Sequence, residues 1–182
     1  MTPDAWLLTA AVVLLVLAAW TGWTLTRLRR LETRVARAWI ALDTQLQRRA
    51  GLAEELARKY PAAVGEERAA YLAAFAVDAR TPSDGDRELA ENVLGRELRE
   101  LPVELPGVPA ELRTDLSGTA TRVALARRFY NDAVRDTRAL RRRRLPRALR
   151  LHASRPLPRY FDIDDRLGGL TGSVDGAGQP RR

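Results

Sequence analysis

The side chains that most often perform chemistry are scarce in this chain of 182 residues. It has no cysteine, a single histidine (His152) and four serines, none of which lies in a G-x-S-x-G motif. Without cysteine the chain can form no disulfide, thiolate nucleophile or cysteine-based zinc site. One imidazole cannot complete an HExxH motif, and neither a P-loop nor a G-x-G-x-x-G motif is present. We therefore expect no catalysis, no cofactor and no metal site.

Two polar groups could still contact a ligand. Tyr130, Asn131 and Asp132 are consecutive, and a structural role competes with a ligand or partner contact. Tyr130 lies on an apolar stripe, so its ring should pack while its hydroxyl finds a polar partner. The acidic residues within 162–165 could hold a divalent ion, but they lack the spacing and the glycine of an EF-hand loop.

Positive charge is concentrated near the C-terminal end of a chain whose net charge is +8. Residues 127–159 contain twelve arginines and two aspartates, with four consecutive arginines at 141–144. Anionic lipid, an acidic protein partner, nucleic acid and simple solvated charge are the competing interpretations. Nucleic acid is disfavoured because no RNP, helix-turn-helix or zinc-finger pattern accompanies the arginines. The candidate partner or lipid contacts are Tyr130, Asn131, Asp132, Arg141, Arg142, Arg143 and Arg144.

An uncharged segment at residues 5–26 predicts a membrane anchor. Its 22 positions match the length of a membrane-spanning helix, and they are rich in leucine, valine and alanine. Tryptophans lie near both ends, where aromatic side chains meet the headgroups, and arginines follow the second end. The candidate membrane-interface residues are Trp6, Trp20, Trp23, Arg27, Arg29 and Arg30.

A cleaved signal peptide and a buried core helix are the alternatives to an anchor. A signal peptide carries positive charge before its apolar segment, whereas Asp4 is the charged side chain that precedes this one. A core helix is rarely so long and apolar on every face. Arginines on the C-terminal side predict that the N-terminus is outside the inner (cell) membrane and the body is cytoplasmic.

The body shows helical periodicity throughout. We predict helices over about 27–59, 66–80 and 86–101, and a last helix from Glu111 or Ser117 to Leu145. Leu89, Leu94 or Val93, and Leu98 should form the apolar face of the third helix. The first and last helices carry the longest apolar stripes, at Leu28, Leu31, Val35, Trp39, Leu42 and Leu46, and at Val123, Ala126, Tyr130, Ala133, Val134, Thr137 and Leu140. The aromatic residues Trp39, Phe75, Phe129 and Tyr130 are predicted to fill the core.

These elements predict an all-α fold: an N-terminal transmembrane helix followed by an antiparallel bundle of three to four long helices. Residues 1–26 form the anchor and residues 27–165 form the cytoplasmic bundle. Pro156 and Pro158 make 147–165 irregular, and the glycine-rich stretch 166–182 should be a disordered tail.

Several segments resemble the LemA family. These are Leu31-Glu-Thr-Arg-Val-Ala-Arg-Ala-Trp39 with residues 42–49 on the first helix, Ala126-Arg-Arg-Phe-Tyr-Asn-Asp-Ala-Val134 on the last, and Pro158-Arg-Tyr-Phe161. The chain departs from the family at 52–56, where a Leu-Ile-Pro-Asn-Leu-like stretch is usual, and in its glycine-rich tail. The resemblance implies a membrane-anchored helical bundle with no established catalysis.

The sequence thus predicts a membrane-anchored scaffold or interaction protein. Its partners would be the lipid bilayer and an unknown protein or a second copy of the chain. The alternative is a bundle that binds a small molecule or anionic lipid, through a polar interior or through the basic residues 127–159.

Overall fold

The computed structural model describes residues 3–81, 87–142 and 156–164. Its helices are α1 (Pro3–Lys59), α2 (Pro61–Val64), α3 (Glu66–Arg80), α4 (Arg87–Arg99) and α5 (Ala110–Arg142). No strand occurs within these described ranges, so the prediction of an all-helical protein is confirmed. The apolar N-terminal segment is also helical, as predicted.

Helix α1 is continuous over 57 residues, which joins the predicted anchor to the first body helix. It ends at Lys59 because the residue before a proline disfavours helical geometry, and Pro61 then begins the single turn of α2. Gly65 separates α2 from α3 with φ +94°, a conformation that glycine adopts without steric cost. The sequence periodicity did not reveal α2.

The remaining helix bounds lie close to the predicted ones. Helix α3 has the predicted bounds, and α4 falls within the predicted 86–101. Helix α5 begins at Ala110, next to the earlier of its two predicted starts. Its predicted end at Leu145 and the predicted disordered tail at 166–182 lie outside the described residues, whereas 156–164 have no helix or strand, as predicted.

The described residues divide into two compact units. The first contains residues 3–40, 129–142 and 156–160, and the second contains 41–81, 87–128 and 161–164. In the first unit, α1 contacts α5 through three successive pairs. They are Glu32 with Arg141, Arg34 with Asp136, and Trp39 with Tyr130. From the first pair to the third, the residue numbers increase along α1 and decrease along α5, so the two helices are antiparallel in this unit.

The second unit is built around an alanine-rich core. Helices α3 and α4 pack together, and the loop after α4 adds apolar side chains. Alanines let helix backbones approach closely, while the leucines supply most of the buried apolar area. The core includes Ala50, Ala53, Leu56, Ala57, Ala69, Leu72, Ala76, Ala79, Leu94, Leu105, Val108 and Leu112.

Two predictions of buried side chains are wrong. Phe129 is 58% exposed, because its neighbour Tyr130 occupies the buried face of α5 and adjacent helical residues point about 100° apart. Leu89 is 57% exposed, because the buried face of α4 contains Ala90, Glu91 and Leu94 instead. Trp39 and Phe75 are partly buried, in keeping with their predicted place.

Candidate functional site

The first part of α1 presents an exposed apolar surface. Its large aliphatic side chains from Leu7 to Leu17 are 50–71% exposed. Within the part of the chain that the structure describes, α1 is the one helix long and apolar enough to cross a membrane. The apolar residues pack against no other element among the residues that the structure describes, and this exposure is the clearest functional feature of that part of the molecule.

The exposed threonines of this segment are hydrogen-bonded within the helix. Thr9 donates to the carbonyl of Ala5 at 2.8 Å, and Thr21 donates to the carbonyl of Leu17 at 2.7 Å. Such bonds to the preceding turn mean that these two hydroxyls do not need water as a partner. A polar group inside hydrocarbon requires an internal partner of this kind, so the threonines are compatible with a lipid environment.

The predicted interface residues lie on both sides of this surface. Trp6 and Trp23 are exposed, Trp20 is half-buried, and Arg29 and Arg30 are exposed on the following turn. The guanidinium of Arg27 lies 5.4 Å from the centre of the Trp23 ring, within cation–π range.

Burial in the body begins where the apolar surface ends. Thr24 is 3% exposed and Leu28 is 6% exposed, whereas the large side chains before Trp20 are exposed. The change from exposed to buried residues therefore falls within the last turns of the uncharged segment. Residues on both sides of this change belong to one unbroken helix.

Tyr130 is placed as its position on the apolar stripe predicts. Its ring is buried against Trp39, with centroids 5.3 Å apart and planes tilted by 58°. Its hydroxyl donates a 2.9 Å hydrogen bond to the carbonyl oxygen of Arg159. This prediction, of a packed ring with a polar partner for the hydroxyl, is confirmed.

The neighbours of Tyr130 have different contacts. Asp132 forms a 3.0 Å ion pair with Arg135, one turn further along α5. Asn131 is half-buried in the same turn. Tyr130 and Asp132 therefore contact separate partners and do not combine into one polar site.

Arg141 makes its contacts within the first unit. It is buried, donates to the carboxylate of Glu32 at 2.8 Å and donates to the carbonyl of Pro156 at 2.9 Å. Arg142, the next residue, is exposed. The other two arginines of the predicted contact, Arg143 and Arg144, lie outside the described residues. Of the two described arginines in the run 141–144, Arg142 is thus the one that faces solvent.

Residues 156–160 are held against α5 by side chains. Arg138 donates to the carbonyl of Pro158 at 3.3 Å, and its guanidinium lies 5.1 Å from the centre of the Tyr160 ring. Together with the hydrogen bond from Tyr130 to Arg159, these contacts fix an irregular segment that has no backbone ladder of its own. Several basic residues predicted to bind a partner thus stabilise the chain itself.

Residues 161–164 are held in the second unit by α4. The amide of Asp162 donates to Glu88 and the amide of Asp164 donates to Asn92, at 2.8 and 2.7 Å. Arg99 donates to the carbonyl of Asp164 at 3.0 Å, while Phe161 and Ile163 are buried. Among the residues that the structure describes, no group of histidine and acidic side chains could hold a metal ion, and Asp165 lies outside them.

A buried ion pair in the second unit was not predicted. Arg49 on α1 contacts both the carboxylate and the backbone carbonyl of Glu91 on α4, and both residues are at most 5% exposed. Arg87 pairs with Asp43 and its Nε lies 4.0 Å from the second carboxylate oxygen of Glu91. Burial raises the pKa of Glu91 above its ordinary value, although Arg49 and Arg87 favour the charged form.

The spacing of apolar residues along the sequence indicates that Arg49 lies at a buried position. The buried residues of α1 in this region recur at intervals of four and three: Leu42, Leu46, Arg49, Ala53 and Leu56. Arg49 thus occupies a core position of a seven-residue repeat. A charged residue at such a position requires a buried partner, and that requirement could have predicted the ion pair before the structure was seen.

The buried pair is a structural contact. Both charged groups are enclosed and oriented toward each other, so they are unavailable to a substrate in this arrangement. Loss of the Glu91 carboxylate would leave the Arg49 guanidinium charged and buried without its ion-pair partner. Comparison of the chain with protein-family models, with curated proteins and with solved structures finds no match.

Proposed function

We propose that the chain is a single-pass membrane protein of LemA type whose helical body is a scaffold or interaction module. The apolar part of α1 is the anchor, and the body is an antiparallel helical bundle in the cytoplasm. We propose no catalytic role, because the chain has no cysteine, a single histidine and neither a P-loop nor a G-x-S-x-G motif. The exposed apolar surface of α1 is the observation that carries it.

This exposure favours an anchor over the core helix of a soluble protein. A core helix would bury its leucines and valines against neighbours, whereas Leu7 to Leu17 stay exposed. Leaving eight large aliphatic side chains in water would be costly, and a bilayer removes that cost. The internally bonded threonines fit the same environment.

The continuity of α1 favours an anchor over a cleaved signal peptide. Thr24 and Leu28 are buried in the body, so cleavage after residue 26 would cut the helix between two residues that pack within it. The arginines that follow support a cytoplasmic body and an N-terminus on the opposite side.

The LemA-type proposal is supported by contacts between the resembling segments. Trp39 ends the first of these segments, Tyr130 lies in the second, and Arg159 lies in the third. The Trp39 and Tyr130 rings are in contact, and Tyr130 donates to the carbonyl of Arg159. The three segments that resemble the family thus meet at Tyr130 in the first unit, and Tyr130 links them by a ring contact and a hydrogen bond.

Membrane extraction of the full chain tests the anchor. We expect the intact chain, with its N-terminal residues detected by mass spectrometry, to remain in the pellet after carbonate washing. Recovery in the supernatant, or of a chain that begins after residue 26, would contradict the proposal.

Reporter fusions at the C-terminus test the topology. A fluorescent reporter that folds only in the cytoplasm should be bright, and an alkaline phosphatase reporter that works only outside should be inactive. Replacing Arg27, Arg29 and Arg30 by glutamine together with Asp4→Arg should raise the phosphatase signal, because it reduces the difference in positive charge across the span. The opposite pattern in the unchanged chain would overturn the orientation.

Cross-linking in intact membranes tests the interaction role. We expect mass spectrometry to identify cross-links from the body to another protein or to a second copy of the chain. A matched sample cross-linked after detergent dilution should lose them. A chain that stays monomeric and uncross-linked in membranes would contradict the scaffold function while leaving the anchor intact.

A further inference from the structure

The end of α5 lies next to the point where α1 leaves its apolar segment. Arg141 is joined to Glu32 by a 2.8 Å ion pair, and Asp136 is joined to Arg34 by a 3.0 Å pair. Glu32 follows the uncharged segment by six residues, about 9 Å along a helix. Both contacts belong to the first unit, so they fix the last turn of α5 beside the start of the α1 body.

Exposed cations gather on this end of the unit. Arg29 and Arg30 are exposed on α1, and Arg142 is exposed on the last turn of α5. The acidic side chains Glu32 and Asp136 are each ion-paired to arginine, so they do not neutralise these exposed charges. Positive charge therefore remains on the surface within a few turns of the apolar segment.

An exposed leucine accompanies these cations. The carbonyl of Pro156 accepts a 2.9 Å hydrogen bond from Arg141, which places the next residue, Leu157, beside the same turn. Leu157 is 52% exposed. Exposed arginines and an exposed leucine at the same end of the unit combine the charge and the apolar surface that favour binding to the headgroup region of a bilayer. We name Arg29, Arg30, Arg142 and Leu157 the juxtamembrane surface.

We propose that the juxtamembrane surface docks the end of α5 onto anionic lipid headgroups. The inference rests on the proposed membrane anchor, since the anchor sets the height of Glu32 above the bilayer. The pair with Glu32 brings Arg142 to a similar height, and an extended arginine side chain then reaches within the screening length of about 8 Å at physiological salt. Each such arginine favours the docked state by about fivefold.

The first test uses the full chain in nanodiscs. Because the chain has no cysteine, the exposed residue of an Ala139→Cys variant can carry the only dye, next to the last turn of α5. Energy transfer to headgroup-labelled lipid should be higher with about one third phosphatidylglycerol than with phosphatidylcholine alone. The difference should vanish near 1 M salt, where the screening length is about 3 Å.

Charge variants assign the effect to the surface. In the labelled chain, Arg142→Glu should weaken the dependence on lipid charge, with a fall of at least fivefold or so in the equilibrium constant for docking. Arg142→Lys should retain it. Arg113→Glu is the matched control, because it changes an exposed arginine of the second unit by the same charge and should leave the transfer unchanged.

The outcomes separate this inference from the anchor. A chain that washes off the bilayer overturns the proposed function. A chain that stays integral but transfers energy equally in neutral and anionic lipid overturns the docking alone, and would favour an acidic protein as the partner of these arginines. Equal behaviour of Arg142→Glu and Arg113→Glu would also overturn it.

Discussion

The two parts of α1 are equally helical but use their apolar residues in opposite ways. Between Leu7 and Leu17 the large aliphatic side chains are exposed on every face. Between Leu42 and Leu56 they recur on one stripe and are buried by the rest of the second unit. The first pattern suits a solvent that is apolar all round, and the second suits water on one side and protein on the other.

Both parts of α1 are α-helical, so secondary structure alone does not distinguish their surroundings. What differs is the periodicity of apolar residues, which reports the surroundings of each segment. Changes that disturb each pattern should therefore act on different properties: membrane integration for the first part and stability of the folded body for the second.

Charges in the first part should give the largest effect. Leu14→Arg with Leu15→Arg adds about 5–7 kcal/mol to insertion, which outweighs the 3–5 kcal/mol or so supplied by the leucines and valines of the segment. We expect the doubly substituted chain to leave the membrane pellet on carbonate extraction. The Leu14→Ile, Leu15→Ile chain is the control and should remain. Retention of the arginine variant would break the comparison.

Removal of one member of the buried ion pair should give the next largest effect. Glu91→Ala leaves the Arg49 guanidinium enclosed without its partner and should lower the free energy of unfolding by about 3–5 kcal/mol. Denaturant titration of the solubilised chain measures this.

An exposed pair in the same unit provides the control for that loss. Glu55→Ala removes the partner of Lys59 in an exposed pair and should leave the stability nearly unchanged, because water screens such a pair. The Arg49→Met, Glu91→Leu double variant should recover most of the loss, because no buried charge remains. Equal losses for Glu91→Ala and Glu55→Ala would show that Glu91 is less enclosed than the structure indicates.

The same substitution in each part of α1 sharpens the contrast. Leu56→Ala empties a fully buried position and should cost about 2–5 kcal/mol of unfolding free energy. Leu14→Ala removes the same atoms from an exposed position and should leave the thermal unfolding of the body unchanged. If both variants lower the unfolding temperature equally, Leu14 contributes to the folded body as Leu56 does, which would contradict the contrast between the two parts of α1.

A single hydroxyl should give the smallest effect. Tyr130→Phe keeps the ring against Trp39 but removes the hydrogen bond to Arg159, at a cost of about 0.5–1.5 kcal/mol. Tyr71→Phe, at an exposed tyrosine, is the control and should be neutral. A loss as large as that of Leu56→Ala would mean that the hydroxyl supports more than the one contact.

Most helix bounds and several buried faces could be predicted because prolines and periodic apolar residues mark the helix ends and faces. Pro61 ended the first predicted helix, and the apolar spacing gave α3 its bounds. Phe129 and Leu89 were misassigned because hydrophobicity alone does not distinguish adjacent faces of one helix. Contacts with other helices make that choice, and a single sequence does not contain them directly.

The candidate site was predicted less completely, for a physical reason. Apolar surfaces follow from composition, so the exposed segment and its tryptophans could be located. Arginine side chains are long, and their partners are distant in sequence: Arg141 contacts Glu32, and Arg49 contacts Glu91. A run of arginines therefore reveals charge but not which members face solvent, and Arg141 and Arg142 differ in this respect.

The unbroken backbone of α1 fixes the rotational phase of its residues in the first unit. A helix turns by about 100° and rises 1.5 Å per residue. One residue inserted between Trp23 and Thr24 would therefore rotate the face that meets α5 by more than a quarter turn relative to the exposed apolar residues from Leu7 to Leu17. Natural or engineered length changes at this junction should be tolerated mainly in steps close to whole helical turns.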